Sequence, residues 1–180
     1  ILLGGLYAVM ALGLALVWGV LNIVNLAHGA FIMLGAYCSW HLFHYLGIDP
    51  FLGLPITAAV MFVLGYGLQR GLLNLIVRAP MFNTLLLTFG LEVVLTYLAQ
   101  LAFSADFRAI NPGYAGHRTQ WGPVVLPLVR LGAFGVALAL TLGMWLFLLH
   151  TRLGRAIRAT AQNLVAARLY GVEPRHLYAM

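Results

Sequence analysis

Lysine is absent from this sequence, and it contains one cysteine and four acidic residues. Without lysine, the phosphate-binding loop G-x-x-x-x-G-K-[ST] is excluded, so ATP-driven work requires a separate subunit. Cys38 has no second cysteine with which to form an intramolecular disulfide, and we treat it as a small buried thiol. Zinc-type Cys/His spacing is also missing, and we expect no metal and no cofactor.

Serine occurs twice, as Ser39 and Ser104, and neither lies in a G-x-S-x-G motif. The metalloprotease pattern His-Glu-x-x-His does not occur either. We therefore predict no catalytic residues and no enzyme activity. The formal net charge of +6 comes from arginines that flank apolar runs, where membrane topology already explains them, so nucleic-acid binding is not expected.

The dominant feature is apolar length: 63% of the residues are hydrophobic, 8% are charged, and the mean hydropathy is +0.96. Such a chain lacks a conventional polar surface, and its repeated apolar runs are long enough to cross a bilayer as helices. We predict an all-α, polytopic transmembrane helical bundle. The expected spans are about 1–21, 25–46, 51–69, 81–103 and 130–149, with a sixth starting near Leu177. Both ends lie in or near apolar runs, so we expect the 180 residues to be part of a longer transmembrane domain.

Arginine placement predicts the orientation. Arg70 and Arg78 flank one connector, and five more arginines follow the fifth span. By the positive-inside rule, residues 70–80 and the loop 150–175 should be cytoplasmic, and residues 104–129 should lie on the other side.

Two groups of polar residues lie within the apolar runs. The fourth span has polar residues every four positions, which places them on one helix face: Thr84, Thr88, Glu92, Thr96 and Gln100. The segment NIVNLAHG interrupts the first long apolar stretch and predicts a broken helix with Asn22, Asn25 and His28. Polar groups at this depth must face protein or water, so all except Gln100 are candidates for a translocation pathway. The alternative is structural: threonines bonded to carbonyls of their own helix, Glu92 paired with a neighbouring helix, and His28 hydrogen-bonded to a carbonyl.

The run TRLGRAIRATAQNLVAARLYGV, residues 151–172, resembles the cytoplasmic loop by which ABC importer permeases contact their ATPases. Ala166, Ala167 and Gly171 fit its E-A-A-x-x-x-G signature, with Val165 in place of the glutamate. The stretches GLYAVMALGLALVWGVLNIVNLAHGAFIMLGAY, TLLLTFGLE and ADFRAINPGYAG are similar to patches of the branched-chain amino acid permease family (LivH-type), in family order. Small alanines suit a short helix lying in a groove, and a glycine lets the chain turn back.

The resemblance implies a permease subunit in the bacterial inner membrane, importing branched-chain amino acids or related amino acids, amides or urea. It implies four kinds of partner: ABC ATPase subunits, a second permease subunit (LivM-type), an extracytoplasmic substrate-binding protein and membrane lipid. It assigns the ATPase-coupling loop to Arg152, Arg155, Arg158, Ala166, Ala167 and Gly171. The alternative is an ion-coupled secondary transporter or channel, in which Glu92 and the broken segment near His28 would bind the coupling ion.

Overall fold

The computed structural model describes residues 2–21, 23–74, 80–104, 106–121, 124–163 and 167. The helices are α1 (Leu2–Leu21), α2 (His28–Leu46), α3 (Pro50–Leu68), α4 (Met81–Phe103), α5 (Leu128–His150) and α6 (Arg152–Gln162). A two-stranded antiparallel sheet, β1 (Arg118–Trp121) with β2 (Val124–Pro127), precedes α5. The chain divides into two compact units, one of residues 1–20 and 111–177 and the other of residues 21–110 and 178–180.

The predicted interruption of the first apolar stretch is confirmed, because α1 ends at Leu21 and α2 begins at His28. We call residues 23–27 the break; none of them is helical. The Asn25 side chain stabilises the restart of the helix, since its Oδ1 accepts a hydrogen bond from the Ala27 backbone N–H at 3.1 Å. Helical hydrogen bonding then begins with the Phe31 N–H donating to the Ala27 carbonyl at 3.1 Å.

A tight antiparallel hairpin joins α2 to α3. Gly47 ends α2 in the left-handed region (φ 65°), which glycine adopts without steric cost. Asp49 caps α3 by accepting from the Phe51 backbone N–H at 2.9 Å, and Pro50 occupies the first helical position, where no N–H is needed. Leu42 then packs onto Gly53.

Beyond α3 the helix widens into a π-helical turn, Gln69–Leu73. Helix α4 then packs beside α2 and runs in the same direction. The start of α4 contacts the break that precedes α2, and its end stacks Phe103 on Tyr37, with ring centroids 4.7 Å apart. Parallel packing is what the predicted topology requires of two spans that are separated by one antiparallel span.

In the other unit, the sheet delivers the chain directly into α5, with Arg118 paired to Pro127 and Trp121 to Val124. Gly5 of α1 makes room for the Phe134 ring of α5, since a Cβ at Gly5 would lie 2.5 Å from a ring carbon. Small residues of this kind let membrane helices approach closely.

Within the described residues, four helical stretches are long and apolar enough to cross a membrane: Leu2–Val20, Pro50–Leu73, Met81–Phe103 and Leu128–His150. They coincide closely with four of the predicted spans. Helix α2, expected as a span over 25–46, begins only at His28, and its histidines lower its hydropathy. Its crossing of the bilayer stays a prediction.

Candidate functional site

The first polar residues of the α4 stripe pack against the break. The Thr88 hydroxyl lies 3.2 Å from the Val24 carbonyl oxygen and 3.2 Å from the Leu85 carbonyl oxygen, and the side chain is fully buried. One hydroxyl proton therefore serves two carbonyls, one of which belongs to the break. In an apolar environment an unsatisfied carbonyl is costly, so Thr88 both holds and satisfies the unwound backbone.

Thr84 lies one turn earlier on the same face and is also buried. Its hydroxyl donates to the Met81 carbonyl at 2.6 Å, three residues back in its own helix. Four apolar residues of the break, α2 and α4 are buried as well: Ile23, Ala27, Ala30 and Leu91. Both hydroxyls thus bond to backbone carbonyls, as the structural alternative expects of threonines in a membrane helix.

Exposure rises along the rest of the stripe. Glu92 and Thr96 are half-buried, and Gln100 is exposed. The Thr96 hydroxyl makes a long hydrogen bond to Glu92 Oε1, 3.5 Å away on the same helix. Among the described residues, Thr96 is the hydrogen-bond donor to the Glu92 carboxylate. A carboxylate has about four acceptor sites, so most of them are left for another donor.

The polar residues of the break are placed differently from one another. Asn25 uses its side chain to cap the local turn, and its carbonyl accepts from the His28 backbone N–H at 3.3 Å. His28 is half-buried at the first position of α2. Asn22 lies outside the described residues. The structure therefore brings Asn25, His28 and Thr88 into one region around the break, and Thr84 lies one helical turn from Thr88.

The predicted coupling loop begins with α6, which turns sharply off α5. The Thr151 side chain accepts from the Gly154 backbone N–H at 2.9 Å and caps α6. Gly154 is buried, and a Cβ there would lie 2.6 Å from the Leu148 carbonyl oxygen, closer than such contacts allow. Only glycine fits this corner. Gly154 is not among the residues predicted from the sequence; a glycine in the first turn of a basic amphipathic stretch is the signal that marks it.

Arg152, Arg155 and Arg158 are all exposed and, at three-residue spacing, lie on one side of α6, whereas Gly154 and Thr160 are buried. The Arg155 guanidinium donates to the His150 carbonyl at 3.3 Å, at the C-terminal end of α5, where a cation is favourable for the helix dipole. The three arginines form one accessible basic face.

Of the coupling-loop alanines and glycine, only Ala167 is described. It is 3% exposed, and its N–H donates to the Asn163 carbonyl at 3.0 Å. The small side chain is thus already covered within this chain. Ala166 and Gly171 lie outside the described residues.

Residues 1–179 match the family described as branched-chain amino acid transport system, permease component. This chain belongs to that permease family. The predicted LivH-type resemblance is confirmed, and with four helices that can span a membrane among the described residues, the permease is a multi-pass membrane protein.

Three relatives show the range of similarity. The permease is 27% identical to the high-affinity branched-chain amino acid transport system permease protein BraD of Pseudomonas aeruginosa. The aligned 189 residues cover 98% of this chain and 62% of BraD. The permease is 25% identical over 197 residues to LivH of Escherichia coli K12, with 99% and 62% coverage. LivM of the same organism is 28% identical over 192 residues, with 96% and 45% coverage.

The permease chain thus spans about 62% of the length of BraD and LivH. No solved structure matches it. These relatives bear the names of permease proteins of high-affinity branched-chain amino acid transport systems.

Proposed function

We propose that this chain is part of the transmembrane permease subunit of an ATP-driven importer, which moves branched-chain amino acids across the bacterial inner membrane. The observation that carries the proposal is the family match over residues 1–179. ATP hydrolysis would take place on separate ATPase subunits. The permease would pair with a second, LivM-type permease and receive its cargo from an extracytoplasmic binding protein.

The exposed basic face of α6 supports ATPase attachment at this point. Arg152, Arg155 and Arg158 stand free of the side on which α6 packs, and the closely fitted Gly154 corner fixes α6 against the end of α5. A rigid link of this kind transmits a displacement of α6 directly to a membrane helix, which is the mechanical requirement for coupling. The side chain of Ala167 is covered within the chain, so we assign it to the internal packing of the loop.

For the pathway, the geometry favours the later part of the stripe. Glu92 and Thr96 are half-buried and retain hydrogen-bonding capacity. Thr84, Thr88 and Asn25 already bond to backbone groups of this chain. We therefore place Glu92 and Thr96 at the translocation pathway and the other three residues in its structural support, with His28 at the junction.

The test is copurification of the ATPase subunits with the whole permease complex. Replacing Arg152, Arg155 and Arg158 by glutamine should leave insertion and permease pairing intact but reduce ATPase recovery, because the positive charges that attract the ATPase are removed. The difference should be clear at moderate salt, since salt screens the exposed charge pairs that remain. The matched control is Arg70→Gln, an exposed arginine that donates to the Tyr66 hydroxyl. An ion-coupled transporter would purify without ATPase subunits, in the wild type as in the variants.

A further inference from the structure

A pocket of about 340 Å³ lies between α2 and the segment that follows α4. Its α2 wall is apolar and aromatic and consists of Met33, Ala36, Tyr37 and Trp40. Sites for small molecules typically measure roughly 300–1,000 Å³ and combine such walls with a few placed polar groups. The volume of the pocket falls within this range, and the pocket is open on the side of Asp106 and Phe107, which are both exposed.

The opposite side of the pocket carries one charge of each sign, Asp106 and Arg108, with Phe107 between them in sequence. Although only two positions apart, they bind different partners. The Arg108 guanidinium carbon lies 4.3 Å from the centre of the Trp40 ring, and the guanidinium also donates to the Phe103 carbonyl at the end of α4. Stacking and hydrogen bonding thus fix the position of the cation before any ligand arrives.

Asp106 is held by a hydrogen bond from a serine hydroxyl. The Ser104 hydroxyl lies 2.8 Å from Asp106 Oδ2, which leaves the second carboxylate oxygen to accept another donor. Ser104 itself has φ 58° and ψ 167°, a conformation that is essentially restricted to glycine and costs about 1–3 kcal/mol. Backbone strain of this kind is concentrated at functional sites, where it holds side chains in place.

A single fixed charge would complement a ligand with one opposite charge, whereas fixed charges of both signs beside an apolar wall match a zwitterion with an apolar side chain. We propose that this pocket binds a free α-amino acid of that class. Arg108 receives its carboxylate, Asp106 receives its ammonium, and Met33 and Ala36 contact its side chain. This inference rests on the proposed function and adds a second contact point for the cargo, separate from Glu92.

The test uses the whole permease complex in nanodiscs, without binding protein or ATP, and measures bound radiolabelled leucine. Leucinamide, which lacks the carboxylate, and 4-methylpentanoate, which lacks the ammonium, serve as competitors. In the wild type each should compete about tenfold more weakly than leucine, because each forfeits one charge-assisted contact. Equal competition by all three compounds, or no leucine binding, would overturn the inference.

Variants then assign each contact. Arg108→Gln should abolish the preference for leucine over leucinamide, and Asp106→Asn should abolish the preference over 4-methylpentanoate. Arg108→Lys keeps the charge and should retain part of the first preference even if Arg108→Gln disturbs folding. The matched control is Arg130→Gln, an exposed arginine of α5 outside the pocket. Unchanged preferences in both neutral variants would also contradict the pocket.

ATP-dependent leucine uptake, measured on the same preparations in proteoliposomes, separates the two claims. ATP-dependent uptake by the wild type without the expected competitor pattern would refute the pocket and leave the proposed function standing. The expected competitor pattern without ATP-dependent uptake would refute the proposed function and leave the pocket standing.

Discussion

The Thr88 hydroxyl of α4 lies 3.2 Å from the carbonyl of Val24, a residue 64 positions earlier in the chain. This contact ties the unwound segment between α1 and α2 to a helix that belongs to another part of the sequence. It gives the break a fixed partner at a fully buried side chain, so the break is a defined structural feature rather than a frayed helix end.

Thr88→Val keeps the shape of the side chain and removes the donor. We expect it to lower the free energy of unfolding by about 1 kcal/mol, because the Val24 carbonyl loses a partner. The matched control is Thr141→Val, since the Thr141 hydroxyl bonds to the Ala137 carbonyl within its own helix. Unfolding in mixed micelles measures both, and equal losses would argue against a special role for Thr88.

Gly154→Ala tests the corner between α5 and α6. The added methyl group meets backbone atoms of Phe147 and Leu148 that cannot move aside independently. Overpacking of this kind costs about 1–3 kcal/mol, and we expect thermal destabilisation together with weaker retention of ATPase subunits. Gly143→Ala on α5 is the control, because a Cβ there meets nothing within 4 Å. If both variants behave like the wild type, the corner is not rigid.

Orientation is tested by single cysteines in a Cys38→Ala background. Gly71 and Gly116 are both exposed, and both have open space where a Cβ would be added, so each should tolerate the change to cysteine. A membrane-impermeant maleimide applied to whole spheroplasts should label position 116 and spare position 71, as the arginine distribution predicts. The opposite labelling would invert the topology.

Glu92→Gln preserves the size of the side chain and its capacity to accept from Thr96, but removes the charge. We expect normal assembly and uptake reduced by about tenfold, equivalent to about 1.4 kcal/mol in activation free energy. Gln100→Leu, at the exposed end of the same stripe, should transport normally. Wild-type uptake by Glu92→Gln and by Glu92→Leu, at normal expression, would remove Glu92 from the pathway.

The sequence predicted helix positions well where hydropathy decides them, as in α1, α4 and α5. Period-four spacing placed Thr84, Thr88 and Glu92 on one face, but spacing does not reveal what packs against a face, so it could not separate Thr88, which is buried, from Glu92, which is half-buried. That separation depends on the contact with Val24. The short sheet at 118–127 and the obligatory glycine at 154 depend on pairing and on close approach, for which local composition gives little signal.

The pocket was missed for a similar reason. Asp106 and Arg108 lie in the predicted outer loop, and Trp40 belongs to another predicted span. Their association depends on the parallel packing of α2 beside α4, which the stacking of Tyr37 on Phe103 makes visible. A single sequence carries no record of this contact.

The most direct test of the central claim is leucine uptake into proteoliposomes that contain the whole permease with its partner permease, ATPase subunits and binding protein. The account predicts uptake that requires ATP inside the vesicles and persists when ionophores collapse the proton and sodium gradients. Uptake that is driven by an ion gradient in the absence of ATP, by a permease that purifies without ATPase subunits, would contradict it.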